Sequence, residues 1–168
     1  MKIPYARQSI NKADIKAVVA ILQADWLTQG PAIERFEKAV AEYSGVKYAV
    51  AVSSATAALH LACLAAGLGT GDYLWTSPNT FVASANSGLY CGSKVDFVDI
   101  NPKTLNLSPK ELKIKLEAAK GAGKLPRVVM PVHFAGQSCE MEQIARLASE
   151  YKFEVIEDAS HAIGGLYQ

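Results

Sequence analysis

The chain opens with two apolar stripes at helical spacing. Ile15, Val18, Val19, Leu22 and Trp26 recur every three to four residues, and Asn11 stands where an N-cap belongs. The spacing predicts a helix over 11–26. "LTQGP" breaks it, and Pro31 suits the first turn of a second helix with Ile33, Phe36, Val40 and Tyr43 on one face. From residue 47 the period changes. "KYAVAV", "YLWTS", "KVDFVD", "RVVMPV" and "FEVIED" are short apolar runs that read as strands. Between them, "SSATAALHLACLAAGLG", "NTFVASANSGLYCG", "SPKELKIKLEAAK" and "EMEQIARLASEYK" read as helices. This alternation implies βα units. The expected fold is α/β, a mostly parallel sheet flanked by helices, with a helical segment over about 1–45 before it. In such a sheet ligands gather outside the carboxyl ends of the strands.

Composition narrows the function without naming it. The chain has 168 residues, half of them hydrophobic and a fifth charged, with a formal net charge of +1. That is ordinary for a globular domain and gives no reason to expect nucleic acid. Lys110, Lys113, Lys115, Lys120 and Lys124 alternate with Glu111 and Glu117 on what reads as a solvated helix face. Cys63, Cys91 and Cys139 are widely spaced, so free thiols and a reducing compartment are expected. "MKIPYARQSINKAD" has no apolar core of a signal peptide, and "ATAALHLACLAAGLG" is too short to span a bilayer. These features point to a cytoplasmic protein that does not engage a membrane.

Three segments lie at the expected carboxyl ends of strands. "SSATAAL" places Ser53, Ser54, Ala55 and Thr56 where a helix begins, a place that either carries a simple Ser cap or receives a phosphate. "TSPNTF" brings Phe81 near the end of its strand, where it reads alone as a core residue and in this setting as a plate for a flat ligand. "EDASHA" ends an apolar run in Glu157 and Asp158 and continues with Ala159, Ser160 and His161. A carboxylate at a buried strand end needs a cationic or hydrogen-bonding partner. A protonated ring nitrogen would meet that need, and the small residues that follow leave room for it. Alternation along the strand sends Glu157 to the opposite face. Other chemistry is not supported. The glycines of "GLGTGD" follow a helix rather than a strand, the three histidines lack metal-ligand spacing, and no G-x-S-x-G elbow occurs, so no metal site is expected.

Together these segments resemble the sugar aminotransferase family named after DegT, DnrJ and EryC1, enzymes of the pyridoxal-phosphate fold type I. The resemblance runs from "QADWLTQGPAIERFE" through "YAVAVSSATAALHLAC", "WTSPNTFVASANS", "FVDINPKTLNLSP" and "PVHFAGQSCEME" to "IEDASHAIGG". "YARQSI", "LTQGP", "SSATAAL" and "HFAGQS" look most like the branch serving pseudaminic acid biosynthesis. That branch implies amination of C4 of a UDP-linked 4-keto-6-deoxy-N-acetylhexosamine, with glutamate as donor, by a homodimer. The resemblance also assigns roles. Asp158 would pair with the protonated pyridine nitrogen of pyridoxal 5′-phosphate, and Phe81 would stack on its ring. Ala55 and Thr56 would hold its phosphate, and His161 would lie near the ring hydroxyl. Tyr5, Asp25, Trp26, Leu27, Thr28 and Ala55 match positions that touch the nucleotide-sugar.

The same resemblance sets limits. Family members are more than twice as long. The Ser that helps bind the phosphate and the Schiff-base Lys lie, by resemblance, beyond the stretch that ends at Gln168. The expectation is therefore an incomplete large, cofactor-binding domain over 1–168, without the small C-terminal domain, without a catalytic lysine and inactive alone. Two other readings stand beside it. One is a relative that uses the cofactor to deoxygenate sugars, with His in place of the Lys. The other is a truncated module that binds cofactor or nucleotide-sugar without chemistry.

Overall fold

A computed structural model describes residues 7–166. The chain divides into two compact units, Met1–Ala51 and Val52–Gln168. In the first unit, helix α1 (Lys12–Leu22) begins with a capping box. Asn11 Oδ1 accepts from the N–H groups of Ala13 and Asp14 at 2.7 and 3.3 Å, and Asp14 Oδ2 accepts from Asn11 N–H at 2.8 Å. Those bonds satisfy three donors at the helix start. Helix α2 (Pro31–Ser44) has Pro31 in its first turn and stops at Gly45, whose φ of 66° is the left-handed cap that glycine adopts at little cost. Helix α1 stops at Leu22, short of the predicted 26, so Trp26 lies outside it, and Ile15, Val18, Leu22, Phe36 and Tyr43 of the two stripes are all exposed.

The second unit carries the sheet. Its elements are α3 (Ala55–Ala65), β1 (Tyr73–Thr76), α4 (Ala83–Tyr90), β2 (Lys94–Phe97), α5 (Pro109–Ala122), β3 (Val128–Met130), α6 (Met141–Tyr151) and β4 (Glu154–Val155). The strands form one parallel sheet in the order β2-β1-β3-β4. The α/β class and the parallel sheet are those the rhythm implied. The central strands β1 and β3 are covered on both faces, which is why they are nearly continuous apolar runs, whereas the edge strand β2 is largely exposed. Trp75, Val129 and Val155 face a core built with Leu112, Leu116, Ile144, Leu147 and Phe153. Leu74, Val128, Met130 and Ile156 face a second core with Leu59, Cys63, Leu68 and Ala83. Gly88 lets α4 approach the sheet closely, since a Cβ there would stand 2.9 Å from Val95 and 3.1 Å from Leu74.

Three expectations need correction. "KYAVAV" is not a strand. A strand exists by its ladder, and no described residue pairs with this segment. Its one side-chain tie is Ala51 N–H to Glu37 Oε1 at 2.8 Å, and Tyr48 and Val50 are exposed. The lysines of α5 are not uniformly solvated. Lys115 reaches Asp96 Oδ2 at 2.7 Å and the Phe97 carbonyl at 2.6 Å, with its ammonium 4.9 Å from the Trp75 ring centroid. That stem covers buried aromatic surface while its head stays paired. Finally, Phe134–Gly136 form an unforeseen 3₁₀ turn after β3, with Ala135 at a φ of 53°. The three thiols are free. Burial pushes the Cys139 thiol up to about 12, so it is inert at neutral pH.

Candidate active site

The site is built at the carboxyl ends of β1, β3 and β4. The line of β4 continues past Val155, because Asp158 N–H donates to the Pro131 carbonyl at 2.9 Å and the Asp158 carbonyl accepts from His133 N–H at 3.1 Å. Side chains alternate along that extension. Ile156 enters the core beneath α3 and α4, Val155 packs toward the α5 and α6 side, and the alternation carries through the two carboxylates. Asp158 joins Ser84 at the start of α4, and Glu157 joins His133.

Asp158 is buried, at 6% exposure. Its Oδ1 accepts from Ser160 N–H at 3.2 Å and Ser160 Oγ–H at 2.7 Å, and its Oδ2 accepts from Ser84 Oγ–H at 2.7 Å. Three hydrogen bonds orient the carboxylate. No basic side chain lies within 4 Å of it among the described residues. A buried anion fixed by dipoles alone is an unfilled demand for a cation.

The other carboxylate is already served. His133 Nε2 lies 2.8 Å from Glu157 Oε2, and Cys139 N–H donates to His133 Nδ1 at 3.1 Å. A nitrogen that accepts carries no proton, so the imidazole is neutral with its proton on Nε2. The pair is thus a charge-assisted hydrogen bond rather than an ion pair. That bond holds Glu157 below the ordinary carboxylate value, outweighing the opposing effect of partial burial.

The remaining anticipated residues are placed as follows. Phe81 is 74% exposed, which removes the core reading of that side chain. Its carbonyl accepts from Ser84 N–H at 3.2 Å and lies 3.2 Å from Ser84 Oγ, so its segment and Asp158 meet at Ser84. Ser54 caps α3, with its Oγ accepting from Ala57 N–H at 3.2 Å. The Ala55 and Thr56 N–H groups, next in the first turn, have no acceptor among the described residues. His161 is exposed in the turn after Asp158, with its carbonyl beside Gly136. Asp25, Trp26, Leu27 and Thr28 are exposed in the first unit. Tyr5 lies outside the described residues.

Three contributors escaped the sequence reading: Ser84, His133 and Asn106. The sequence offers His133 only as a candidate metal ligand, with spacing that does not suit one. Asn106, buried in "TLNLSP", donates from Nδ2 to the carbonyls of Gln137 and Ser138 at 3.0 and 3.1 Å and accepts from Phe134 N–H at 3.0 Å. It pins the whole 134–138 turn. The one available signal was a polar residue flanked by Leu105 and Leu107. No helix is long and apolar enough to cross a membrane among the described residues.

Comparison with known proteins places the chain in a family. Residues 8–168 match the DegT/DnrJ/EryC1/StrS aminotransferase family. The spore coat polysaccharide biosynthesis protein SpsC of Bacillus subtilis is 43% identical over 166 residues, 99% of this chain and 41% of that protein. The UDP-4-amino-4,6-dideoxy-N-acetyl-beta-L-altrosamine transaminase of Campylobacter jejuni is 40% identical over 167 residues, 99% of this chain and 43% of that enzyme. The structure of Helicobacter pylori PseC, an aminotransferase of pseudaminic acid biosynthesis, superposes with a TM-score of 0.87 at 31% identity, over all of this chain and 44% of that one. The chain thus spans about two fifths of the length of the relatives it matches. It belongs to the DegT/DnrJ/EryC1/StrS aminotransferase family.

Proposed function

We propose that this chain is the cofactor-holding part of a pyridoxal-phosphate-dependent nucleotide-sugar aminotransferase. One observation carries the reading: the buried Asp158 carboxylate is aligned by three hydrogen bonds and lacks a cation among the described residues. The residues present fit the cofactor. Asp158 would accept from its protonated ring nitrogen, and the exposed Phe81 would cover the ring. The free N–H groups of Ala55 and Thr56 would bind its phosphate at the positive end of α3. His161 would stand near the ring hydroxyl. When bound, the cofactor supplies the electron sink that amino transfer requires. The role of Asp158 is to keep a proton on the ring nitrogen, because an opposite charge in a sheltered place raises that nitrogen's proton affinity.

The substrate reading is amination of C4 of a UDP-linked 4-keto-6-deoxy-N-acetylamino sugar with glutamate as donor. Its support is the likeness to the Campylobacter transaminase and to PseC. Tyr5, Asp25 to Thr28 and Ala55 would contact the nucleotide-sugar, and the active enzyme would be a cytoplasmic homodimer. In domain terms, 1–168 would be the front part of the large domain. A GDP-perosamine synthase of Caulobacter vibrioides is also 40% identical, so identity alone does not choose the nucleotide. The test is to offer the full-length protein UDP-linked and GDP-linked 4-keto-6-deoxy sugars with glutamate and to follow the amino sugar by mass spectrometry. Amination of the UDP sugar is expected. Preference for the GDP sugar would overturn the substrate reading, and deoxygenation without amination would overturn the reaction class.

A further inference from the structure

Ser84 is fully buried at the start of α4, and its hydroxyl lies among three oxygens. Asp158 Oδ2 and Thr80 Oγ1 are each 2.7 Å away, and the Phe81 carbonyl is 3.2 Å away. A hydroxyl has one proton to give. The carboxylate is both near and charged, so it accepts that hydrogen bond. Thr80 must then donate to Ser84 Oγ. The result is a directed relay, Thr80 to Ser84 to Asp158, that runs from a partly buried hydroxyl to a buried carboxylate. The far oxygen of the carboxylate tells the rest. Oδ1 already accepts two hydrogen bonds from Ser160, while Oδ2 accepts one. Each carboxylate oxygen has about two acceptor positions. The open position is therefore on Oδ2, the oxygen that Ser84 holds.

We propose that Ser84 is a positioning residue, backed by Thr80, which fixes Asp158 so that the free acceptor position of Oδ2 receives the ligand's cationic N–H. This rests on the reading of Asp158 as the cofactor's counter-ion. The same hydroxyl lies against the Phe81 carbonyl, so Ser84 also ties the covering aromatic segment to the counter-ion.

The experiment uses the full-length protein and pyridoxamine phosphate, whose fluorescence gives a dissociation constant without turnover. Thermal unfolding is recorded for every variant. Ser84→Ala is expected to weaken binding about tenfold, as loss of a hydrogen bond to a charged group does. Thr80→Val should weaken it two- to threefold, and Thr80→Ser should restore it. In the Asp158→Asn background, Ser84→Ala should change nothing further, because coupled residues are non-additive. If Ser84→Ala does not fold, the two Thr80 variants and their cycle with Asp158→Asn decide the question. Equal factors in both backgrounds would show a packing role and overturn the inference. Unchanged affinity in Ser84→Ala or Thr80→Val, with Asp158→Asn weakened, would overturn it while leaving the counter-ion reading intact. Undiminished binding in Asp158→Asn would overturn both.

Discussion

Glu157 and Asp158 are neighbours in the chain and chemically almost the same, yet they occupy two different regions. Asp158 lies on the α3 and α4 face, buried, bonded to two serines. Glu157 lies on the other face, with its side chain half exposed and bonded to a neutral histidine. Strand alternation separates them. What each carboxylate can do then depends on what already answers its charge. Glu157 has a committed donor and reads as structure. Asp158 has only dipoles and reads as a receptor for a cation. Pairs of like groups in unlike surroundings are how a fold divides chemistry from support.

The strongest way to break this comparison is to exchange the expected importance of the two. In the full-length enzyme Asp158→Asn keeps the shape and removes the charge. Loss of that stabilisation in a preorganised site should lower turnover on the order of 10²-fold or more. The check is steady-state amination of the keto sugar with glutamate. A smaller loss in Asp158→Asn than in Glu157→Gln would mean that the two faces have been assigned the wrong way round.

His133→Ala attacks the structural face. It removes the acceptor for the buried Cys139 N–H and the donor to Glu157. A buried donor left unpaired costs about 1–3 kcal/mol. The urea midpoint should fall accordingly, with an unchanged slope. Phe81→Leu then probes the other face at its rim. Phe81 is exposed, so unfolding should be little affected. Lost stacking of about 0.5–1.5 kcal/mol should appear instead as weaker binding of pyridoxamine phosphate, roughly tenfold at most. If Phe81→Leu lowered stability and spared binding, the residue would belong to packing.

The limits of sequence reading follow the same division between local and distant causes. The helices were legible because their signals are local: Asn11 as a cap and Pro31 in a first turn. The α/β class was legible because the central strands, buried on both faces, must be apolar. "KYAVAV" has that composition too, but a strand depends on a partner elsewhere in the chain, and composition does not supply one. The Phe81 ring was ambiguous for the same reason, since a lone aromatic does not announce whether anything covers it. Asp158 stood out because two carboxylates ending an apolar run need explaining. Ser84, His133 and Asn106 did not. Each matters through a contact 24 or more residues away, such as Ser84 with Asp158 or His133 with Glu157.

The smallest expected effect is also the sharpest test of the His133 tautomer. Glu157→Gln keeps an oxygen that can still accept from His133 Nε2–H and removes only the charge. The side chain is half exposed, so solvent screens the interaction and the loss at neutral pH should be below about 1 kcal/mol. Its pH dependence has a definite sign. The folded-state value of Glu157 lies below its ordinary value of 4.5. The stabilisation is therefore fully present above the unfolded value and is lost as pH falls through the folded one. The stability gap between wild type and Glu157→Gln should be flat from pH 7 to about 5, then close in stronger acid as the carboxylate takes up its proton. Urea titrations across that range measure it. A gap that widened between pH 7 and 5 would mean that His133 acquires a second proton in the folded state. That proton would sit on Nδ1, facing the Cys139 N–H that now donates to it. The pair would then be a true ion pair, and Glu157 would carry a charge-balancing role now assigned to Asp158 alone.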